Sequence, residues 1–111
     1  MIESYNFGKI RIDGENYMND VIICPDKVDS WWRGKSHLVD IEDVKKIVEK
    51  KPRTAIFGTG EPGLMKVSKE TKEYLEKLGI EVIIEPTKKA CDIYNKLSKK
   101  QEVIAALHLT C

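Results

Sequence analysis

Three short apolar runs constrain this chain more than any other feature: TAIF at 54–57, EVII at 81–84 and VIAALHL at 103–109. Continuous apolar runs of this length suit strands covered on both faces, as in a sheet flanked by helices. Between the runs the spacing changes to a helical period. Ser68 can cap a helix that turns Thr71, Tyr74, Leu75 and Leu78 inward, with Gly79 as its stop. Thr87 can cap a second, carrying Ala90, Ile93, Tyr94 and Leu97 at i, i+3, i+4 and i+7. Strands that alternate with helices in this way are joined by crossovers and lie parallel.

The first part of the chain adds the opposite direction. Asp13-Gly14 is a two-residue turn of the kind that closes a tight hairpin, here between Ser4–Ile12 and Glu15–Ile23. Around Gly8 the apolar parity changes from Tyr5 and Phe7 to Ile10 and Ile12, which predicts a bulge or bend. An antiparallel hairpin added to parallel strands gives an α/β fold with a mixed sheet. The connection CPDKVDSWWRGKSHLVD is long and irregular, and Asp40 then caps a helix striped by Ile41, Val44, Ile47 and Val48.

With 111 residues the chain makes a single domain spanning 1–111. Nineteen basic residues against eighteen acidic ones argue against a dedicated nucleic-acid or membrane-surface binder, which carries a basic excess. Cys24, Cys91 and Cys111 have no paired spacing and read as reduced thiols. No apolar run approaches the length of a membrane span, and the N-terminus MIESYNFGKI has no basic-then-apolar leader, so the expected location is cytoplasmic.

The strand TAIF runs into Gly58-Thr59-Gly60-Glu61-Pro62-Gly63, a G-x-G-x-x-G match. In a dinucleotide fold the helix starts inside this motif, so that its free amides meet the pyrophosphate. Here Pro62 removes a donor and Leu64–Val67 delays the helix to Ser68, so the expectation is a tight turn and no dinucleotide cofactor. No metal-ligand spacing or nucleophile–base–acid order occurs elsewhere.

Two groups of candidate residues remain. If the strands ending at Phe57, Ile84 and Leu109 are parallel, then Gly58, Thr59, Gly60, Glu85, Thr87 and His108 share the carboxyl edge of the sheet, where open α/β sheets bind ligands. There His108 and Thr110 would point to one face, and Leu107, Leu109 and Cys111 to the other. The second group is Trp31-Trp32-Arg33 with His37, in the long connection. Adjacent residues in an extended segment point opposite ways, so one indole is expected at the surface, and Trp and Arg are favoured at binding hot spots.

The hairpin IRIDGENY, the loop WWRGKSHLVD, the strand and turn IFGTG, the segment GIEVIIEPTKKACDIYN and the ending AALHLTC together resemble a family of small single-domain proteins first described as hypothetical proteins of methanogens. Its eukaryotic relatives include an adipogenesis-associated protein and a mitochondrial complex I assembly factor. The resemblance implies a three-layer α/β sandwich with a mixed central sheet and no established enzymatic activity. It supplies no catalytic residues for this chain.

The expectation for function is a non-catalytic interaction or assembly module that docks an unidentified protein partner on the tryptophan loop and the adjoining sheet edge; homo-oligomer formation is left open. The alternative is a small-molecule site, for an anion or phosphate, or an enzyme, at the carboxyl edge.

Overall fold

The computed structural model, which describes residues 1–111, begins with a three-stranded antiparallel sheet of β1 (Ile2–Asn6), β2 (Lys9–Ile12) and β3 (Glu15–Tyr17). Asp13 and Gly14 both have positive φ, 48° and 84°, as the turn between β2 and β3 requires. The expected hairpin arms are each broken in two. At Phe7-Gly8 the chain does not bulge but reverses completely, so that Asn6 faces Lys9. At 18–20 it leaves the small sheet, and β4 (Val21–Ile23) joins a different one. Parity shows where the buried face changes; it does not separate a bend from a reversal.

The long connection is partly ordered by β5 (Val28–Ser30), antiparallel to β4, and by β6 (Leu38–Val39). A 3-10 turn over Ile41–Val44 precedes α1 (Lys45–Lys50). Next come β7 (Thr54–Gly58), β8 (Lys66–Val67), α2 (Lys69–Lys77), β9 (Glu81–Glu85), α3 (Thr87–Leu97) and β10 (Val103–Leu107). The central sheet has the order β5-β4-β10-β7-β9. Strand β10 lies parallel to β7 and antiparallel to β4, and β9 is parallel to β7, so the sheet is mixed.

Alternation along these strands divides the core into two clusters. Val103, Ala105, Leu107 and Leu109 pack with Ile10, Ile12, Ala90 and Tyr94, beneath α3 and the small sheet. Ile104 and Ala106 point the other way, to Trp31, Val44, Ile47, Phe57 and Leu75 under α1, α2 and the tryptophan loop. The result is the three-layer sandwich. Asn95 ties the first layer to the small sheet: its side chain accepts the Ile2 amide at 2.9 Å and donates to the Ile2 carbonyl at 2.8 Å.

Two helix assignments change in detail. Ser68 caps α2 through its hydroxyl and the Thr71 amide, at 3.1 Å, but only Thr71 and Leu75 of the expected stripe are buried; Tyr74 and Leu78 are exposed. Pro86 precedes α3 as its N-cap, and Thr87, the first helical residue, has its hydroxyl turned to other work. No helix is long and apolar enough to cross a membrane.

Candidate functional site

Because β7, β9 and β10 run parallel, the segments that follow them meet at one edge of the sheet. The glycine loop is the first to arrive. Its amides are consumed locally: Thr59 donates to the Glu85 carbonyl at 2.9 Å, Glu61 to the Thr110 carbonyl at 3.0 Å, Leu64 to the Cys111 carbonyl at 3.1 Å and Met65 to the Thr59 carbonyl at 3.2 Å. The Gly60 amide donates to the Thr87 hydroxyl at 2.8 Å, and that hydroxyl donates in turn to the His108 carbonyl. Gly60 has φ +97°, and a Cβ there would meet the Thr110 carbonyl and, at 2.9 Å, His108 Cδ2. The loop therefore clasps the end of β10, with no cradle of free amides for a phosphate. Coiling resumes only at Lys69, after β8 has paired with β6.

Of the edge residues expected to hold a ligand, Gly58, Thr59, Gly60 and Thr87 are buried in this clasp. The Glu85 carboxylate lies 3.6 Å from Lys89, one helical turn away, and the polar neighbours of the His108 ring are Asp20 and Arg33 instead. His108 alone joins the second group of candidates.

That group divides by parity. Trp31 is 6% exposed, packs on Phe57 with ring centres 6.1 Å apart and donates its indole N–H to the Asp43 carbonyl at 3.0 Å. Trp32 is 84% exposed. Arg33, expected on a docking surface, turns inward instead: its side chain is 5% exposed, and its guanidinium lies over the Trp31 ring at 4.6 Å. His37 is exposed and meets the His108 ring edge-on, with centres 5.8 Å apart.

Arg33 and His108 converge on Asp20. Arg33 Nη1 is 2.9 Å from Asp20 Oδ2, His108 Nδ1 is 2.8 Å from the same oxygen, and Asp20 Oδ1 accepts the Leu109 amide at 2.8 Å. Burial acts to raise the Asp20 pKa, but the hydrogen bonds from His108 and the Leu109 amide, with the guanidinium of Arg33 alongside, outweigh it and hold the carboxyl below its ordinary value. An ionised carboxylate can only accept, so the His108 proton sits on Nδ1. Arg33 Nη2 donates to the Ser36 carbonyl at 2.8 Å, which fixes the loop. Arg33 Nε and His108 Nε2 are buried without a hydrogen-bond partner, and Nη1, though close to the carboxylate, is not aligned to donate. The two guanidinium nitrogens are open donors and His108 Nε2, with the proton on Nδ1, is an open acceptor; buried polar atoms left open in this way mark a place where a partner atom is missing.

Asp20 carried no motif. Its one signal in the sequence is its position, a lone acid directly before the apolar run Val21–Cys24. The three side chains form part of the wall of a cleft of about 480 Å³, together with Met18, Trp32 and Thr110. The two buried thiols offer no activated nucleophile. Burial, with Asp92 nearby, pushes Cys91 up to about 12, and burial also raises Cys24.

The same architecture recurs in known proteins. A family model described as "Protein of unknown function (DUF498/DUF598)" matches residues 2–108. Among solved structures, the conserved hypothetical protein PH1505 from Pyrococcus horikoshii OT3 is 30% identical, with a TM-score of 0.91 over 100% of this chain and 99% of that one. A chain named MT938 is 25% identical with a TM-score of 0.84, covering 100% of this chain and 98% of that one. A Mth938-like domain from Bordetella pertussis shares the fold at 16% identity and a TM-score of 0.71, over 98% of this chain and 85% of that one. The resemblance to the small methanogen-type family holds across the whole chain.

Proposed function

The chain belongs to the DUF498/DUF598 family of proteins of unknown function, and on that premise we propose that it is a non-catalytic interaction module that docks a partner protein at the carboxyl edge of its sheet, with Trp32 as the anchor. One observation carries this reading. Of the eight large apolar side chains left exposed, four stand on segments tied to residues 109–111. Phe7 precedes Gly8, whose amide donates to the Leu109 carbonyl. Leu64 donates its amide to the Cys111 carbonyl, and Met18 and Trp32 line the cleft with Thr110. Exposed apolar groups scattered singly need no explanation, whereas two that share one cleft, as Met18 and Trp32 do, with Phe7 and Leu64 on segments bonded to the same chain end, support an interaction site.

The architecture of the loop supports the same reading. Trp31 is its root in the core and Arg33 its tie to Asp20, so Trp32 is presented on a rigid support and loses little freedom when a partner covers it. The competing reading, a small-ligand site built on Gly58–Gly60, Glu85 and His108, loses its amides to the clasp and its carboxylate to Lys89.

Affinity capture from the source cell tests the proposal, with the wild type set against a folded Trp32→Ser, Met18→Ser double variant. The expected result is loss of specific co-purifying proteins from the variant. An identical set captured by both would refute the docking site.

A further inference from the structure

We infer that the partner segment is recognised through a carboxylate, from an acidic side chain flanked by apolar residues, that enters the cleft beside Trp32 and pairs with Arg33. This rests on the docking reading above and adds the chemistry of the occupant.

Charge is the first argument. The segment Trp31–His37 carries Arg33, Lys35 and His37 and no acid, and His108 lies against it. Asp20 is the one carboxylate within the cluster, and it is already engaged by the Leu109 amide, His108 and Arg33. Lys35 is exposed and has no ion pair. Asp43 also lies against the tryptophan loop, where its carboxylate accepts the Gly34 amide at 3.1 Å and the Asp40 amide at 2.8 Å. Glu61 and Glu85 belong to the side of the glycine loop, where Glu61 acts on Tyr5 and Glu85 is held by Lys89. The tryptophan-loop side thus sets Arg33 and Lys35 against two carboxylates, Asp20 and Asp43, that are both already hydrogen-bonded.

The second argument is the open valence of Arg33. A guanidinium has five N–H donors in a fixed fork, suited to a carboxylate. In this structure Nε has no acceptor and Nη1 is out of line with Asp20, while the side chain, only 5% exposed, is set within the wall of the cleft. What those donors lack is an oxygen. A second carboxylate supplies it and leaves Asp20 its bonds to Leu109 and His108. Met18 and Trp32, at the mouth, would cover the apolar residues on either side of the acid.

The experiment uses the full chain labelled with 15N and follows the Arg33 Nε–H and Trp32 indole N–H resonances. Three probes are titrated: a pool of end-capped tripeptides of the form apolar-Glu-apolar, the same pool with Gln in place of Glu, and sodium acetate. The Glu pool is expected to shift both resonances saturably. The Gln pool and acetate should each bind at least tenfold more weakly, and Trp32→Ala should weaken the Glu pool several-fold while leaving the acetate response unchanged. Equal shifts from the Glu and Gln pools would overturn carboxylate recognition and leave the docking site standing. Acetate binding as tightly as the Glu pool would overturn it in favour of a free small carboxylate. Absence of any shift with the Glu pool would also overturn it, and the docking proposal would then be judged by the Trp32 capture experiment alone.

Discussion

Asp20 Oδ2 and His108 Nδ1 lie 2.8 Å apart although 88 residues separate them in the sequence, and this contact joins the entrance of β4 to the exit of β10. Strands β4 and β10 are antiparallel neighbours, so the start of one and the end of the other coincide at the carboxyl edge. Arg33 reaches the same carboxylate from the tryptophan loop. The electrostatic core of the edge is therefore assembled by sheet topology.

A dependence on pH follows from that carboxylate. The Asp20 pKa is held below the ordinary carboxyl value of about 3.9. A depressed folded-state pKa contributes stability that is complete above the unfolded value and is lost as pH falls through the folded one. Replacing Asp20 by Asn leaves Arg33 buried beside a neutral amide and should cost about 3 kcal/mol near neutrality. The gap between wild type and Asp20→Asn should narrow as pH is lowered from about 5 toward 2, because only the wild type loses this contribution. Urea unfolding across that range measures it. A gap constant with pH would show that the carboxylate is not held ionised by its partners.

The clasp at the glycine loop predicts a large effect from one methyl group. Gly60→Ala places a Cβ against the Thr110 carbonyl and His108 Cδ2 at φ +97°. Gly14→Ala imposes a similar backbone angle, φ +84°, with nothing within 4 Å. The Gly14 variant should lose only the conformational cost, about 1–2 kcal/mol, and the Gly60 variant distinctly more. Chemical denaturation of the two gives the comparison. Equal losses would mean that the close approach to residues 108–111 contributes nothing.

The adjacent tryptophans should behave as opposites. Trp31→Ala empties a site against Phe57 and orphans the Asp43 carbonyl, at a cost of about 3–5 kcal/mol. Trp32→Ala touches an 84% exposed side chain and should stay within about 0.5 kcal/mol of wild type. Thermal unfolding and the emission maximum of each single-tryptophan variant check both statements. A Trp32 emission maximum as blue as that of Trp31 in the free protein would contradict the exposed placement.

The outcome at these residues shows what a sequence conveys. TAIF and VIAALHL were legible as covered strands because burial on both faces leaves a composition that few other short elements share, whereas EVII, of similar composition, is the edge strand β9 and is only half-buried. Parity alone showed that Trp31 and Trp32 would not share the core, though not which of the two enters it. The two breaks in the N-terminal arms, a reversal at Phe7-Gly8 and a change of sheet at Met18–Asp20, were not legible, because neither carries a turn pair as distinctive as Asp13-Gly14. Tyr74 and Leu78 kept the helical period of a buried stripe, yet α2 presents only Thr71 and Leu75 to the sheet; periodicity gives the apolar face but not how far the neighbouring layer extends over it. Asp20 was invisible for a different reason. Its role depends on the antiparallel register of β4 against β10, a long-range pairing that no local pattern encodes.

The thiols give the last prediction, which bears on whether the protein carries reactive cysteine chemistry. Cys24 and Cys91 are buried, and burial raises the pKa of each, with Cys91 pushed up to about 12 by desolvation and by Asp92. A thiol that holds its proton and is screened from solvent is a poor nucleophile. Cys111 is partly exposed at the carboxyl edge. Native protein at about pH 8 should therefore react with a thiol reagent at one position only, Cys111, and the other two should react on unfolding in denaturant. Counting labelled sites by peptide mass before and after denaturation decides the matter. Prompt labelling of Cys91 in the native protein would mean that α3 opens from the small sheet far more readily than its Asn95 bracket on Ile2 implies.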